Sequence, residues 1–126
     1  MLIKGILYSK TNNRIPRTAI SKTGKRYSKW IKDSKTQKSF SDMVLQLKAQ
    51  WQGRDPIPEP AELVCYIYYP SRRHDLDVEL LKDALQAAGI VKNDRHIFRE
   101  TATKIIDPAY PRMEVTVRPM QEEITG

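Results

Sequence analysis

Apolar residues along this chain recur with two different periods, and the change from one to the other marks out its elements. Residues 2–8 (LIKGILY) are rich in β-formers and run into polar turn-formers, which predicts a first strand. Across residues 9–28, Asn12, Asn13, Pro16 and Gly24 are turn and loop residues, so this stretch reads as a loop. From about Lys35 to Trp51 the period changes. Phe40, Met43, Val44, Leu47 and Trp51 recur every three or four residues, as one face of a helix requires. Gly53 and the prolines at 56, 58 and 60 end that helix and make a stiff connection to the next element. Residues 61–69 (AELVCYIYY) are β-branched and aromatic, the strongest strand signal in the chain, and Pro70 closes them. Residues 77–88 return to the helical period, with Leu81, Ala84, Leu85 and Ala88 on the apolar face and Gly89 as the stop. Two further strands are expected near 98–106 and 113–118, separated by a turn holding Pro108 and Pro111. A frayed tail is expected at about 120–126. The order β-α-β-α-β-β predicts an α+β fold, a small mixed β-sheet with helices packed against it.

At 126 residues the chain is expected to be a single domain. With 40% hydrophobic and 29% charged residues it has the composition of a globular protein. No apolar run has signal-peptide or membrane-spanning length, and the single cysteine, Cys65, has no partner within the chain. A reducing cytoplasm is the expected compartment. Charge then changes the picture. Residues 1–54 carry 13 Lys and Arg against 2 Asp and Glu, whereas residues 55–126 carry 9 against 13. So basic a first half implies an anionic partner. It lacks the apolar amphipathic face that membrane insertion needs, which leaves nucleic acid as the expected partner, with no membrane and no small-molecule cofactor. P-loop and dinucleotide fingerprints are absent from the sequence.

Candidate chemistry lies between residues 75 and 94, DLDVELLKDALQAAGIVKND. Asp75 and Asp77 are one residue apart where a strand hands over to a helix. In extended backbone, residues two apart face the same way, so both carboxylates can approach one ion. For Asp94 to join them, the chain must return along a helix about 16 Å long. Six extended steps from Ala88 span at most about 20 Å, so chain length permits the closure. Three carboxylates would suit magnesium, with manganese as a substitute, because such ions take oxygen ligands and keep waters for substrate phosphates. Ions so placed polarise a phosphodiester, and Lys82, five residues after Asp77, could add charge to the transition state. The same residues have structural readings. An aspartate ahead of a helix is an ordinary N-cap that favours the helix dipole, and Asn93-Asp94 is an ordinary turn. Glu79 and Asp83 read as solvated helix-face charges. Neutralising these aspartates is expected to leave the apo fold intact, or even to stabilise it by relieving like-charge repulsion.

Residues 72–97, RRHDLDVELLKDALQAAGIVKNDRHI, resemble the RusA family of Holliday junction resolvases, whose core joins a basic loop, D-L-D-N, a lysine-bearing helix, D-A-L, a glycine and a closing D-D or N-D. TNNR, residues 11–14, is similar to the family's N-terminal loop. The resemblance implies a RusA-like endonuclease domain, with Asp75, Asp77 and Asp94 as magnesium ligands and a lysine beside them. It also implies a homodimer that resolves four-way DNA junctions by paired nicks in recombination and repair, in bacterial or phage-infected cells. Two-fold protein would then meet two-fold substrate. Val78 stands where the family has asparagine, and the stretch from Asp77 to D-A-L is shorter than usual. Aligned by type, the helix lysine is Lys82; counted back from Asp83, its place falls on Glu79.

A basic run, Lys22, Lys25, Arg26, Lys29, Lys32, Lys35 and Lys38, contains Tyr27 and Trp30. Lysines suit backbone phosphates, and an exposed aromatic can stack on an unpaired base. Asn13, Arg14, Lys25, Arg26, Lys29, Lys32, Arg72 and Arg73 are the candidate DNA contacts, the last two steering DNA to the acidic site, with Lys92 and Arg95 as further contacts near Asp94. The alternatives are a protein that binds junction or duplex DNA without cutting it, and a nuclease acting on flaps or other branched DNA. Cys65 reads as a core residue and His74 as a surface histidine, and His96 is assigned no role.

Overall fold

In the computed structural model, which describes residues 1–10, 14–20, 26–32 and 34–121 (14–20 and 26–32 by backbone alone), AELVCYIYY forms the central strand of the main sheet. The elements in chain order are β1 (Leu2–Lys4), β2 (Arg14–Ile20), β3 (Arg26–Lys32), α1 (Ser34–Trp51), β4 (Ala61–Tyr69), α2 (Glu79–Ala87), β5 (Ile97–Ile106) and β6 (Arg112–Pro119). A 3₁₀ turn, Asp94–His96, leads into β5. The fold is α+β, a four-stranded mixed sheet and two helices in a small single domain, as the residue pattern predicts.

Sheet order is β1-β6-β4-β5, with β4 and β5 parallel and the other pairs antiparallel. Strand alternation builds the core. Ala61, Leu63, Cys65, Ile67 and Tyr69 of β4 are all wholly buried, and Met113, Val115 and Val117 of β6 continue that layer. Met43, Leu47 and Trp51 of α1 and Leu80, Leu81, Ala84 and Leu85 of α2 pack into the same cluster. Each fully buried leucine contributes about 1.5–3 kcal/mol, so these two helix faces anchor the sheet.

Helix α2 ends in a Schellman motif. The Ile90 amide donates to the Leu85 carbonyl at 3.0 Å and the Gly89 amide to Gln86 at 3.1 Å, while Leu85 and Ile90 are both fully buried. Gly89 takes φ +79, the left-handed conformation that glycine adopts without a Cβ clash. The free edge of β1 is covered from α1. Gln50 exchanges hydrogen bonds with the Leu2 backbone and Gln46 with that of Lys4. Four helical residues advance about 6 Å and two strand residues about 6.7 Å, so the spacings match.

Three sequence expectations are corrected. The first strand stops at Lys4, because Gly5 leaves extended backbone at φ +119; Leu7 is nonetheless buried in the core. The stretch read as a loop over residues 9–28 contains β2, which pairs antiparallel with β3. Pro16 argued against a strand, but in a two-stranded sheet each strand has an open side and tolerates a proline. The element order is therefore β-β-β-α-β-α-β-β. Asn13, Lys22, Lys25 and the end of the tail lie outside the described residues. Among the described residues, no helix is long and apolar enough to cross a membrane.

Candidate functional site

The loop after β4 carries Arg72, Arg73, His74, Asp75 and Asp77 and is fastened to the sheet by side chains. Tyr69, the last residue of β4, donates its hydroxyl to the Asp75 carbonyl at 3.1 Å. The His74 ring stacks on the Tyr69 ring, with centroids 4.9 Å apart and planes within 7°. Lys104 of β5 donates to the Arg72 carbonyl at 3.0 Å and also to the His74 carbonyl. Burial raises the Tyr69 phenol, and the charges of Asp77 and Asp75 raise it further. Tyr69 holds Asp75 through its carbonyl and Asp77 follows two residues later, which places both at this end of the sheet.

Asp77 is half-buried and both of its oxygens accept hydrogen bonds. Ser9 Oγ donates to Oδ2 and the Glu79 amide to Oδ1, each at 3.0 Å. The second bond satisfies an amide at the start of α2, but the N-cap position itself is Val78, so Asp77 supports the helix entrance from one residue before the cap rather than as the N-cap expected from the sequence. It does not exhaust the carboxylate, because each oxygen has a second lone pair. Asp75 is exposed.

Asp94 lies elsewhere. Ala61 pairs with Ile97 at one end of the β4–β5 ladder and Tyr69 with Ile106 at the other. Asp75 and Asp77 follow Tyr69, whereas Asp94 precedes Ile97 and bonds through its amide to Gln86 Oε1 near the far end of α2. Eight strand steps separate those ends by about 26 Å. The closure that chain length permits therefore does not occur within one chain. A β-α-β crossover delivers the chain to the starting end of the first strand, and Asp94 goes with it. Among the described residues, no group of three His, Cys, Asp or Glu side chains could hold a metal ion. The two carboxylates that remain still fit magnesium, a hard ion commonly held by one or two carboxylates plus waters and phosphate.

Lys82 bonds to Glu79 at 2.8 Å and lies 3.3 Å from Glu100. Desolvation opposes its charge, but these two partners hold its pKa above the usual lysine value. Its ammonium is thus engaged by carboxylates of α2 and β5. Glu79 and Asp83 are ion-paired rather than merely solvated, Asp83 with Lys10 at 2.8 Å. His74 is half-buried against Tyr69, and His96 lies 3.4 Å from Glu59. Asn93 caps the 3₁₀ turn by accepting from the Arg95 amide at 2.9 Å, which realises the turn reading of Asn93-Asp94.

Basic residues gather at the Asp75 end of the sheet. Lys4 is paired with Arg112, and Arg112 with Tyr68, so all three share it with exposed Arg72 and Arg73. A groove of about 340 Å³ is lined by Lys4, Tyr8, Lys35 and Lys38, with Asp42 as the acidic exception. In the β2–β3 register Arg14 stands opposite Lys32 and Arg17 opposite Lys29, while Arg26 pairs with Ile20.

Ser9 and Lys104 escaped the sequence reading. Ser9 is 68 residues from the carboxylate it touches. Lys104 did leave a signal, being a lysine in phase with the inward face of a predicted strand. No protein-family model matches the chain, and no curated protein matches it.

Proposed function

We propose that this protein is a magnesium-dependent endonuclease acting on branched DNA, in which Asp75 and Asp77 hold the ion and the surrounding basic residues hold the phosphate backbone. The observation that carries this reading is the loop bearing Asp75 and Asp77, held to Tyr69 through the Asp75 carbonyl, at the end of the sheet that also bears Lys4, Arg72 and Arg73. Ser9 and the Glu79 amide orient the Asp77 carboxylate. Magnesium, when bound, would polarise the phosphodiester and activate a water for in-line attack. Arg72 and Arg73 neutralise the incoming backbone, and the β2–β3 ribbon, with Arg14, Arg26, Lys29 and Lys32, extends the contact along the DNA. The resemblance in residues 72–97 narrows the substrate to a four-way junction, cut by paired nicks from a cytoplasmic homodimer.

A second reading is favoured by two specific observations. Asp77 accepts from the Glu79 amide at the start of α2, and Asp94 lies at the other end of that helix. On that reading the protein binds branched or duplex DNA without cutting it. A labelled four-way junction incubated with magnesium separates the two. The endonuclease reading requires wild type to cut, and Asp77→Asn to bind the junction without cutting it. Binding by both without cleavage by either supports the non-catalytic reading. Preferential cutting of flaps or linear duplex would reassign the substrate.

A further inference from the structure

We propose that Lys104 is a positioning residue, whose ammonium locks the loop over residues 71–77 onto the sheet so that Asp75 and Asp77 are set for one divalent cation. The inference rests on the reading of those two aspartates as the ion's ligands and adds a residue to it.

Lys104 pairs in register with Ile67, a wholly buried residue of β4, and so belongs to the face of β5 that looks toward α2. An ammonium on that side of a sheet needs acceptors to offset its lost hydration. It finds them in the carbonyls of Arg72 and His74, and it lies 5.8 Å from the centre of the Tyr69 ring. Two carbonyls held by one cation fix the backbone of Arg73 between them. Tyr69 fastens the next carbonyl, that of Asp75, and stacks on His74. Three successive attachments thus order residues 72–75 before any ligand arrives. Without them the loop would have to order as it captures the ion, and affinity would fall by that entropic cost.

Electrostatics makes the opposite demand. A lysine charge beside a cation site repels the cation, so deleting it should tighten binding if charge alone mattered. The sign of the effect therefore decides between a positioning residue and a bystander.

The experiment measures Mn²⁺ affinity by electron paramagnetic resonance, and amide exchange of residues 71–77, in the apo protein. Wild type, Lys104→Met, Lys104→Arg and Tyr69→Phe are compared, with circular dichroism to establish folding. Lys104→Met is expected to bind Mn²⁺ about tenfold more weakly, the usual scale for losing a residue that orients a ligand. Exchange over residues 71–77 should accelerate, and Lys104→Arg should recover most of the affinity. If Lys104→Met fails to fold, Tyr69→Phe carries the test, with weaker affinity expected. Affinity unchanged or tightened in Lys104→Met, or no recovery in Lys104→Arg, overturns the role of Lys104. Because Tyr69 anchors the same loop, unchanged affinity in Tyr69→Phe overturns the premise that ordering residues 72–75 sets the aspartates, and the role of Lys104 with it. Absence of Mn²⁺ binding by wild type, or binding that survives Asp75→Asn with Asp77→Asn, overturns the ligand reading itself.

Discussion

Ser9 Oγ donates to Asp77 Oδ2 at 3.0 Å, joining the loop after β1 to the entrance of α2 across 68 residues. Ser9 is itself nearly buried, so its hydroxyl has little water to turn to. Ser9→Ala should cost about 1–2 kcal/mol, toward the lower end for a bond to a charged acceptor because Asp77 keeps the Glu79 amide. Asp77→Asn should also cost about 1 kcal/mol in the apo protein, since both bonds to its carboxylate weaken. This revises the expectation, drawn from charge repulsion alone, that neutralising the aspartate would be harmless. Urea unfolding without metal checks both values.

Gly89→Ala tests the helix stop. A Cβ at Gly89 would meet nothing within 4 Å, so the cost is conformational rather than steric crowding by neighbours. At φ +79 an L-residue is strained by about 1–2 kcal/mol, and the urea midpoint should fall by that amount without a change in slope.

Why Gly89 was legible and Asp94 was not comes down to the range of each signal. Helix stops, strand alternation and the apolar face Leu81, Ala84 and Leu85 are local, written in residues a few positions apart. They placed α1, β4, α2, β5 and β6 close to their observed bounds. The β2–β3 pairing was obscured because Pro16 and Gly24 carry strong turn signals, while cross-strand pairing leaves no mark in a single strand. Within the site, Asp75 and Asp77 could be grouped by their spacing alone. Asp94 required the path of the chain, and length sets only an upper bound on that path. The parallel pairing of β4 with β5 sends it the other way. Ser9 and Lys104 reach the site through tertiary contacts, which spacing does not encode.

Cys65 is wholly buried, and desolvation, followed by the nearby charge of Glu100, pushes its thiol from 9.0 up to about 11. The folded chain therefore holds the thiol proton more tightly than the unfolded chain. This stabilisation is complete below pH 9.0 and is lost as pH rises through about 11. At pH 8 a thiol-reactive disulfide reagent should modify Cys65 only as fast as the protein opens, and at once in denaturant. Rapid reaction of the folded protein would contradict the burial.

Asp94→Asn tests the geometry directly. Since Asp94 lies at the opposite end of α2 from Asp77, its neutralisation should leave the Mn²⁺ affinity of a single chain within about twofold of wild type, as expected for sites far apart and without shared partners. A loss as large as that of Asp77→Asn would mean that Asp94 reaches the ion after all, through a rearrangement or from a second copy of the chain.

Cleavage of a labelled four-way junction, with magnesium present and then chelated, tests the central claim most directly. The account predicts paired nicks by wild type with magnesium, none after chelation, and none by Asp75→Asn or Asp77→Asn under conditions where both still bind the junction. Cleavage that persists in the chelator or in those variants would contradict it, as would a wild-type protein that binds the junction and never cuts.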